Sequence, residues 1–288
     1  MNLTLGLHPH LPRIMQAGKS HLSDISEMSS SNEVKLSIHD VSKSFQCKMG
    51  QIQALENINL TVKQGEFACI VGPSGCGKTT LLNLIAELDL PDRGEIILHQ
   101  SGTGCGQRLV IFQESALFPW LSIWENVAFG LKLRGISLPD RKALAMTYLS
   151  LVNLERFADC YVHELSGGMK QRAALARALV MKPEILLMDE PFGALDILTR
   201  EMLYQELQNI WEQTGTTIIF ITHNVEEAIY LGDRVIIIAG HPGGVKSEHP
   251  VLCPRPRQKE SVSFRELYQE ISMELMGIGD KPLQEAFV

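Results

Sequence analysis

The stretch Phe67-Ala-Cys-Ile-Val71-Gly72-Pro73-Ser74-Gly75-Cys76-Gly77-Lys78-Thr79-Thr80 decides how the rest of the chain is read. Five apolar residues run straight into the spacing G-x-x-x-x-G-K-[ST], after which Leu81, Leu84, Ile85 and Leu88 recur at helical intervals. Strand, tight loop and helix in that order are what this pattern needs to cradle a polyanion. Glycine at 72, 75 and 77 lets backbone N–H groups wrap phosphate oxygens without Cβ clashes. The helix N-terminus adds partial positive charge. Lys78 is long enough to reach β- and γ-phosphates, and the Thr79 hydroxyl can ligate Mg²⁺. Residues Gly72 to Thr80 are therefore expected to hold a nucleoside triphosphate.

Three more apolar runs share this texture: Ile185–Met188, Ile218–Ile221 and Val235–Ile238. Each is strand-length and apolar on both faces, as in the buried strands of a parallel sheet, although short buried helices share that pattern. The first of these three, Ile185–Met188, runs into Asp189-Glu190. Acidic residues where a parallel strand emerges lie at the edge where open α/β folds bind ligands. Asp189 is placed to hold Mg²⁺ through water, and Glu190 to orient and deprotonate an attacking water. The alternating stretches Val34–Ile38, Ile58–Val62 and Glu95–Leu98 predict antiparallel strands. From about 115 to 180 the pattern turns helical, with Arg141–Val152 and the Ala/Leu-rich Met169–Leu179, which predicts a helical insertion.

The ends read differently. Residues 1–33 are Ser-rich without apolar periodicity and are expected to be a disordered tail, with Met28 an alternative start of translation. Residues 34–244 carry the α/β pattern. Residues 245–288 form an arm: a Pro-containing crossing (Pro250, Pro254, Pro256), then an amphipathic helix with Phe264, Leu267, Tyr268, Ile271 and Leu275 on one face. Ser263 and Glu266 there have capping-box spacing. The stretch Gly102–Gly106 has no assignable pattern.

Composition limits the function classes. Among 288 residues, 26 Lys and Arg against 33 Asp and Glu leave a formal charge of −7, without the basic footprint of a nucleic-acid binder. No apolar run approaches the roughly 18–20 residues of a membrane-spanning helix, so any membrane work needs a partner that spans. The six cysteines include no CxxC pair or zinc-ligand spacing, and no convincing secretory leader precedes them, which predicts free thiols in a reducing compartment.

Leu165-Ser166-Gly167-Gly168-Met169-Lys170-Gln171-Arg172 resembles the signature motif of the ATP-binding-cassette (ABC) ATPases, which separates the chain from other phosphate-loop enzymes. The other elements of that family follow in order. Gln113 matches the Q-loop glutamine, Ile185–Glu190 the Walker B strand with its catalytic glutamate, Gly193-Ala194-Leu195-Asp196 the D-loop, and His223 the switch histidine. Phe45 stands where the family places an aromatic ring against adenine. The resemblance spans about Val34 to Gly244. It implies a P-loop NTPase fold with a RecA-like parallel core, an antiparallel β subdomain and a helical insertion.

It further implies ATP and Mg²⁺ as cofactors, with Thr79, Gln113 and Asp189 around the metal. Two copies, or a paired ATPase subunit, would sandwich two ATP molecules head to tail. Ser166, Gly167, Gly168 and Gln171 of one copy would complete the site made by the other, with Asp196 in the D-loop. Glu190, His223 and Gln113 would be its catalytic residues.

The segment Ser115-Ala-Leu-Phe118-Pro-Trp120-Leu-Ser-Ile-Trp124-Glu-Asn126, with Pro254-Arg-Pro-Arg257, looks like the ATPases of nitrate, sulfonate, taurine and bicarbonate importers. Its aromatic residues are either insertion core or a seat for a permease helix. The expected setting is the cytoplasmic face of the inner membrane, with a separate permease and, indirectly, a periplasmic or lipid-anchored solute-binding protein. A soluble ABC ATPase of iron–sulfur assembly or translation type is the alternative. Two positions depart from the family pattern: Glu87, where Gly is usual, and Asn224, where Asp is common.

Overall fold

The computed structural model describes residues 33–48, 50–99 and 108–279. The expected tail up to residue 32, the expected start at Met28 and the stretch Gly102–Gly106 lie outside these residues.

Two sheets organise the chain. Strands β1 (Val34–Cys47), β2 (Gly50–Lys63) and β4 (Arg93–Leu98) form a three-stranded antiparallel sheet in the order β2-β1-β4. Strands β3 (Phe67–Val71), β5 (Arg108–Ile111), β6 (Ile185–Asp189), β7 (Thr217–Thr222), β8 (Arg234–Ala239) and β9 (Gly244–Pro250) form a six-stranded sheet in the order β5-β6-β7-β3-β8-β9. Its first five strands are mutually parallel, and β9 pairs antiparallel with β8. All four doubly apolar runs are therefore parallel strands.

Their apolar character on both sides follows from what covers them. Phe67, Cys69 and Val71 point into a core shared with the helical insertion, whereas Ala68 and Ile70 point into a second core shared with the antiparallel sheet. The same alternation sends Leu186, Phe220 and Ile237 one way and Leu187, Ile219 and Ile236 the other. Each fully buried aliphatic or aromatic side chain in these layers contributes roughly 1.5–3 kcal/mol.

Helices α1 (Lys78–Ile85), α2 (Ile123–Leu133), α3 (Leu138–Leu151), α4 (Gly167–Leu179), α5 (Ile197–Thr214), α6 (Val225–Leu231) and α7 (Val262–Gly279) complete the described chain. Helices α2 to α4 form the insertion. Helix α1 buries Leu81, Leu82, Leu84 and Ile85 but stops earlier than its apolar spacing suggests, and Leu88 is exposed. Glu87 N–H reaches Leu84 O at 3.1 Å and Leu88 N–H reaches Asn83 O at 2.9 Å, the paired bonds of a Schellman ending. The residue at its left-handed position is Glu87, with φ +59°. Here lies the physical meaning of the departure from Gly.

The arm packs onto the first core through Val251, Cys253, Phe264 and Ile271, with Leu267 and Leu275 beside them, while Tyr268 is exposed. Its helix begins at Val262, so Ser263 lies inside the first turn, and the Ser261 hydroxyl instead accepts the Phe264 N–H at 3.4 Å. The capping-box reading of Ser263 and Glu266 is corrected accordingly. No described helix is long and apolar enough to cross a membrane. The five described cysteines are unpaired.

Candidate functional site

The carboxyl ends of β3, β5, β6 and β7 bring the candidate residues together at one edge of the parallel sheet. The loop after β3 is locked by geometry. Gly77 has φ +93°, and a Cβ there would lie 2.5 Å from Leu55 Cδ2 and 2.9 Å from Ala54 O. At Gly72 a Cβ would fall 2.0 Å from Ile238 O. Glycine is thus required on conformational grounds at one position and on close approach at both. Pro73, Ser74 and Gly75 form the exposed tip, Cys76 is buried beneath it, and Thr79 is exposed with Thr80 partly covered.

Lys78 is 7% exposed, and its Nζ donates to Gly72 O at 2.8 Å and Pro73 O at 2.9 Å. The ammonium is held by the backbone of the very loop that would surround phosphate. Burial pushes the Asp189 carboxyl above the usual carboxylate range; a hydrogen bond from Thr79 opposes this, Glu190 adds to it and Lys78 opposes it. A carboxylate desolvated against a hydroxyl and beside an ammonium is a donor set that a hard divalent cation fits. Among the described residues no cluster of three or more His, Cys, Asp or Glu could hold a metal by itself, so water or phosphate oxygens would supply the remaining ligands.

Glu190 follows Asp189 in a left-handed conformation, φ +45°, which turns its side chain off the line of β6. Its N–H donates to Ile221 O at 3.0 Å, and its carbonyl accepts the Gly193 N–H at 3.1 Å. A non-glycine residue held there stores strain, on the order of 1–3 kcal/mol. The turn sets Glu190 Oε2 2.9 Å from His223 Nδ1. Gln113 is exposed just past β5, and a Cβ built on Gly193 would stand 3.4 Å from Gln113 Nε2 and 3.9 Å from Glu190 Oε2. Gln113, Glu190 and His223 therefore converge. Phe45 is 43% exposed on the antiparallel sheet, with Lys43 Nζ 5.3 Å from its ring centroid.

The signature residues sit at the start of α4. Ser166 is its N-cap, accepting the Met169 N–H at 3.4 Å, and both Ser166 and Gly167 are exposed. Gly168 is buried, and a Cβ there would meet Thr199 Cγ2 at 2.5 Å, so packing on α5 explains this glycine within one chain. Gln171 is turned inward in this chain. It is 8% exposed and its Nε2 donates to Gln113 O at 2.7 Å, so its side chain is engaged in its own chain rather than offered outward. Asp196 caps α5 by accepting the Thr199 N–H at 3.0 Å, a bond that lowers its carboxyl pKa. Asn224 caps α6 with its amide oxygen, 2.9 Å from the Glu226 N–H. A neutral acceptor suffices for a cap, which accounts for Asn in place of Asp.

Sequence reading passed over three residues that shape this region. Arg177 donates to Ala116 O at 2.8 Å and Ser115 O at 3.2 Å, so α4 grips the loop after Gln113 twice. Asn126 is fully buried and donates to Phe118 O, Leu121 O and Ser122 O while accepting the Phe118 N–H, which folds the aromatic loop. His241 lies beside the phosphate loop, with its Cε1 3.6 Å from where a Gly75 Cβ would be. Neither Arg177 nor Asn126 carries a motif, and only the fold brings His241 there.

A family profile described as "ABC transporter" matches residues 55–193. Over 244 residues the chain is 45% identical to the aliphatic sulfonates import ATP-binding protein SsuB of Bacillus cereus, covering 82% of this chain and 94% of that protein. It is 48% identical over 221 residues to the nitrate import ATP-binding protein NrtD of Synechocystis sp., covering 76% and 83%. Among solved structures, the dimeric post-hydrolysis state of the ATP-binding cassette MJ0796 bound to ADP and Pi matches with a TM-score of 0.66 at 35% identity, over 75% of this chain and 98% of that one.

Proposed function

From the premise that this chain belongs to the ABC transporter ATP-binding family, as an ATPase of importer type, we propose that it energises uptake of a small anion through a separate permease. The anion class we infer is nitrate, sulfonate or taurine, or bicarbonate. The observation that carries this reading is the identity of 45% and 48% to sulfonate and nitrate import ATPases over most of both chains. The subunit would work peripherally on the cytoplasmic face of the membrane, as a head-to-tail pair with ATP between the copies. A solute-binding protein outside would deliver the anion.

The chemistry asked of this chain is positioning and charge stabilisation. Gly72 to Gly77 would wrap the phosphates with N–H groups, and Lys78 would exchange its two carbonyl acceptors for β- and γ-phosphate oxygens. Thr79 and Asp189, with Gln113 nearby, would hold Mg²⁺. The chemistry it would supply there is neutralisation of phosphate charge. Glu190 would accept the proton of the attacking water. His223, donating from Nδ1 to Glu190 Oε2, would fix the carboxylate's direction. Phe45 would stack on adenine. Ser166 and Gly167, exposed at the α4 N-terminus, would close on the partner copy's nucleotide.

Force would leave the site through α4, whose Gln171 and Arg177 hold the backbone from Gln113 to Ala116. That backbone leads into the aromatic loop, where Phe118 packs on Phe129 at 4.5 Å and Trp120 is 71% exposed. Phe118 is half-buried between Phe129 and Trp120, and exposed Trp120 would be the ring offered to the permease.

The test of the hydrolytic reading is Glu190→Gln. It should bind MgATP and form an ATP-dependent dimer in size-exclusion chromatography, with kcat down by about 10²–10³-fold. Hydrolysis at the unmutated rate would remove Glu190 from the role of base. Membrane reconstitution with the permease and binding protein, comparing nitrate, taurine and bicarbonate uptake, decides the substrate class.

A further inference from the structure

Behind the Glu190–His223 pair runs a buried polar chain that the hydrolytic reading does not use. Helix α5 contributes Arg200 and Tyr204, α6 contributes Glu227, and β7 ends on Thr222. Glu227 is 7% exposed, and its Oε2 accepts a short hydrogen bond from the Thr222 hydroxyl. The same Thr222 oxygen accepts the Asn224 N–H at 3.0 Å, so Thr222 ties Glu227 to the backbone on both sides of His223. At the other end Arg200 Nη2 donates to Leu195 O at 2.9 Å and Gly193 O at 3.5 Å, the D-loop backbone. Gly193 N–H is itself bonded to Glu190 O at 3.1 Å. Both ends of the chain therefore touch segments that set the hydrolytic pair.

Tyr204 stands between the two ends. It is 4% exposed, and burial, followed by the charge of Glu227, pushes its phenol pKa far up, so it keeps its proton. Burial likewise pushes the Glu227 carboxyl up, opposed by Thr222, Tyr204, Arg200 and His223. Two buried polar atoms here have no hydrogen-bond partner, Glu227 Oε1 and Arg200 Nε, and both belong to groups that interact with Tyr204. Buried atoms of charged groups are costly to leave unpaired. The Tyr204 hydroxyl already shares hydrogen bonds with both groups, so a shift of α5 against α6 that brings either open atom closer would change how firmly they are held. Tyr204 thus connects Glu227 to Arg200 and, through Arg200, to the D-loop backbone.

We propose that Glu227 is a positioning residue for hydrolysis, linked by Tyr204 and Arg200 to the D-loop and by Thr222 to the loop presenting His223, so that D-loop movement sets the His223–Glu190 geometry. The proposal rests on the reading of Glu190 and His223 as the hydrolytic pair. Nothing reacts at Glu227; it acts through another residue's direction.

Tyr204→Phe is the sharper probe, because it removes one hydroxyl and keeps the ring packed on Phe192 and Tyr230, at 5.8 Å each. Glu227→Gln is the second, retaining an acceptor for Thr222. In the full chain, each should lower kcat for MgATP about five- to tenfold, with KM and ATP affinity within about twofold. In single turnover on a His223→Ala background, Tyr204→Phe should have no further effect, because both act at one point. Unchanged kcat in Tyr204→Phe, or an equal loss with and without His223, overturns the proposal. A parallel Glu190→Gln measurement separates the two failures. If Glu190→Gln is inactive while Tyr204→Phe is unaffected, only the positioning role falls; if Glu190→Gln hydrolyses normally, the underlying reading falls first.

Discussion

The phosphate-loop side and the signature side of this chain differ in how completely they are finished. On the first, Lys78, Asp189, Glu190 and His223 each have a partner within the chain, and glycines are placed where a Cβ would collide. On the second, Ser166 and Gly167 are exposed at a helix start, and the nearby Ile197 and Leu198 are 72% and 76% exposed. Nothing on the signature side resembles a phosphate cradle on its own. The contrast teaches that the phosphate-loop side is built by intrachain bonds, while the signature side is an exposed surface with an apolar rim. A second copy brought head to tail would cover it with the first half.

The comparison breaks most visibly if each half is disabled in a different copy. Lys78→Ala should lower kcat/KM for ATP by about 10²-fold or more, through loss of charge-assisted phosphate contacts. Ser166→Arg should spare ATP binding to its own chain but abolish the ATP-dependent dimer and turnover. Mixed, the two variants form some heterodimers with one intact composite site, so turnover should return to roughly a quarter of the unmutated value at most. ATPase assays over a range of mixing ratios measure this, and no recovery would show that the halves do not meet across chains.

A smaller effect is expected at the permease side. Trp120→Ala should weaken copurification with the permease by about tenfold while ATP affinity stays unchanged, because Trp120 is largely exposed and its aromatic neighbour Phe118 stays packed. Pull-down from detergent extract beside an ATP-binding titration checks both halves of that statement.

The smallest effect tests strain at the end of α1. Glu87→Gly should raise stability by about 0.5–1 kcal/mol, because glycine accepts the left-handed conformation without penalty. The ion pair it removes joins a Glu87 side chain 69% exposed to an Arg108 side chain 8% exposed, so its loss offsets part of this gain. A lowered melting temperature would mean that the pair outweighs the backbone strain.

Legibility followed the range of the interactions. The Gly72–Thr80 loop, the four buried strands and the Asp189-Glu190 exit could be read because strand, turn and phosphate chemistry are local constraints on residue type. Leu88 misled because apolar spacing says nothing about where a Schellman ending stops a helix. Ser263 misled because Ser261, two residues earlier, offers the same hydroxyl and the structure uses that one. Gln171 lies in the signature motif, yet its neighbour in space is Gln113, 58 positions away in the chain. The half-burial of Phe118 and exposure of Trp120 could not be told apart two residues away in one aromatic cluster, since Asn126 holds the Phe118 backbone and Arg177 of α4 lies over its ring.

By itself, the sequence determined the class of chemistry: a phosphate-binding loop between strand and helix, acidic residues at a strand exit, and a signature motif that selects one ATPase family. These depend on residue types at fixed short spacings, which backbone geometry alone enforces. The tertiary structure decided direction and grouping. It turned Glu190 off its strand towards His223, bent Gln171 onto Gln113, and assembled Arg200, Tyr204, Thr222 and Glu227 from separate elements. Such contacts depend on how sheets and helices pack, and no local spacing encodes which distant side chain will lie within about 3 Å.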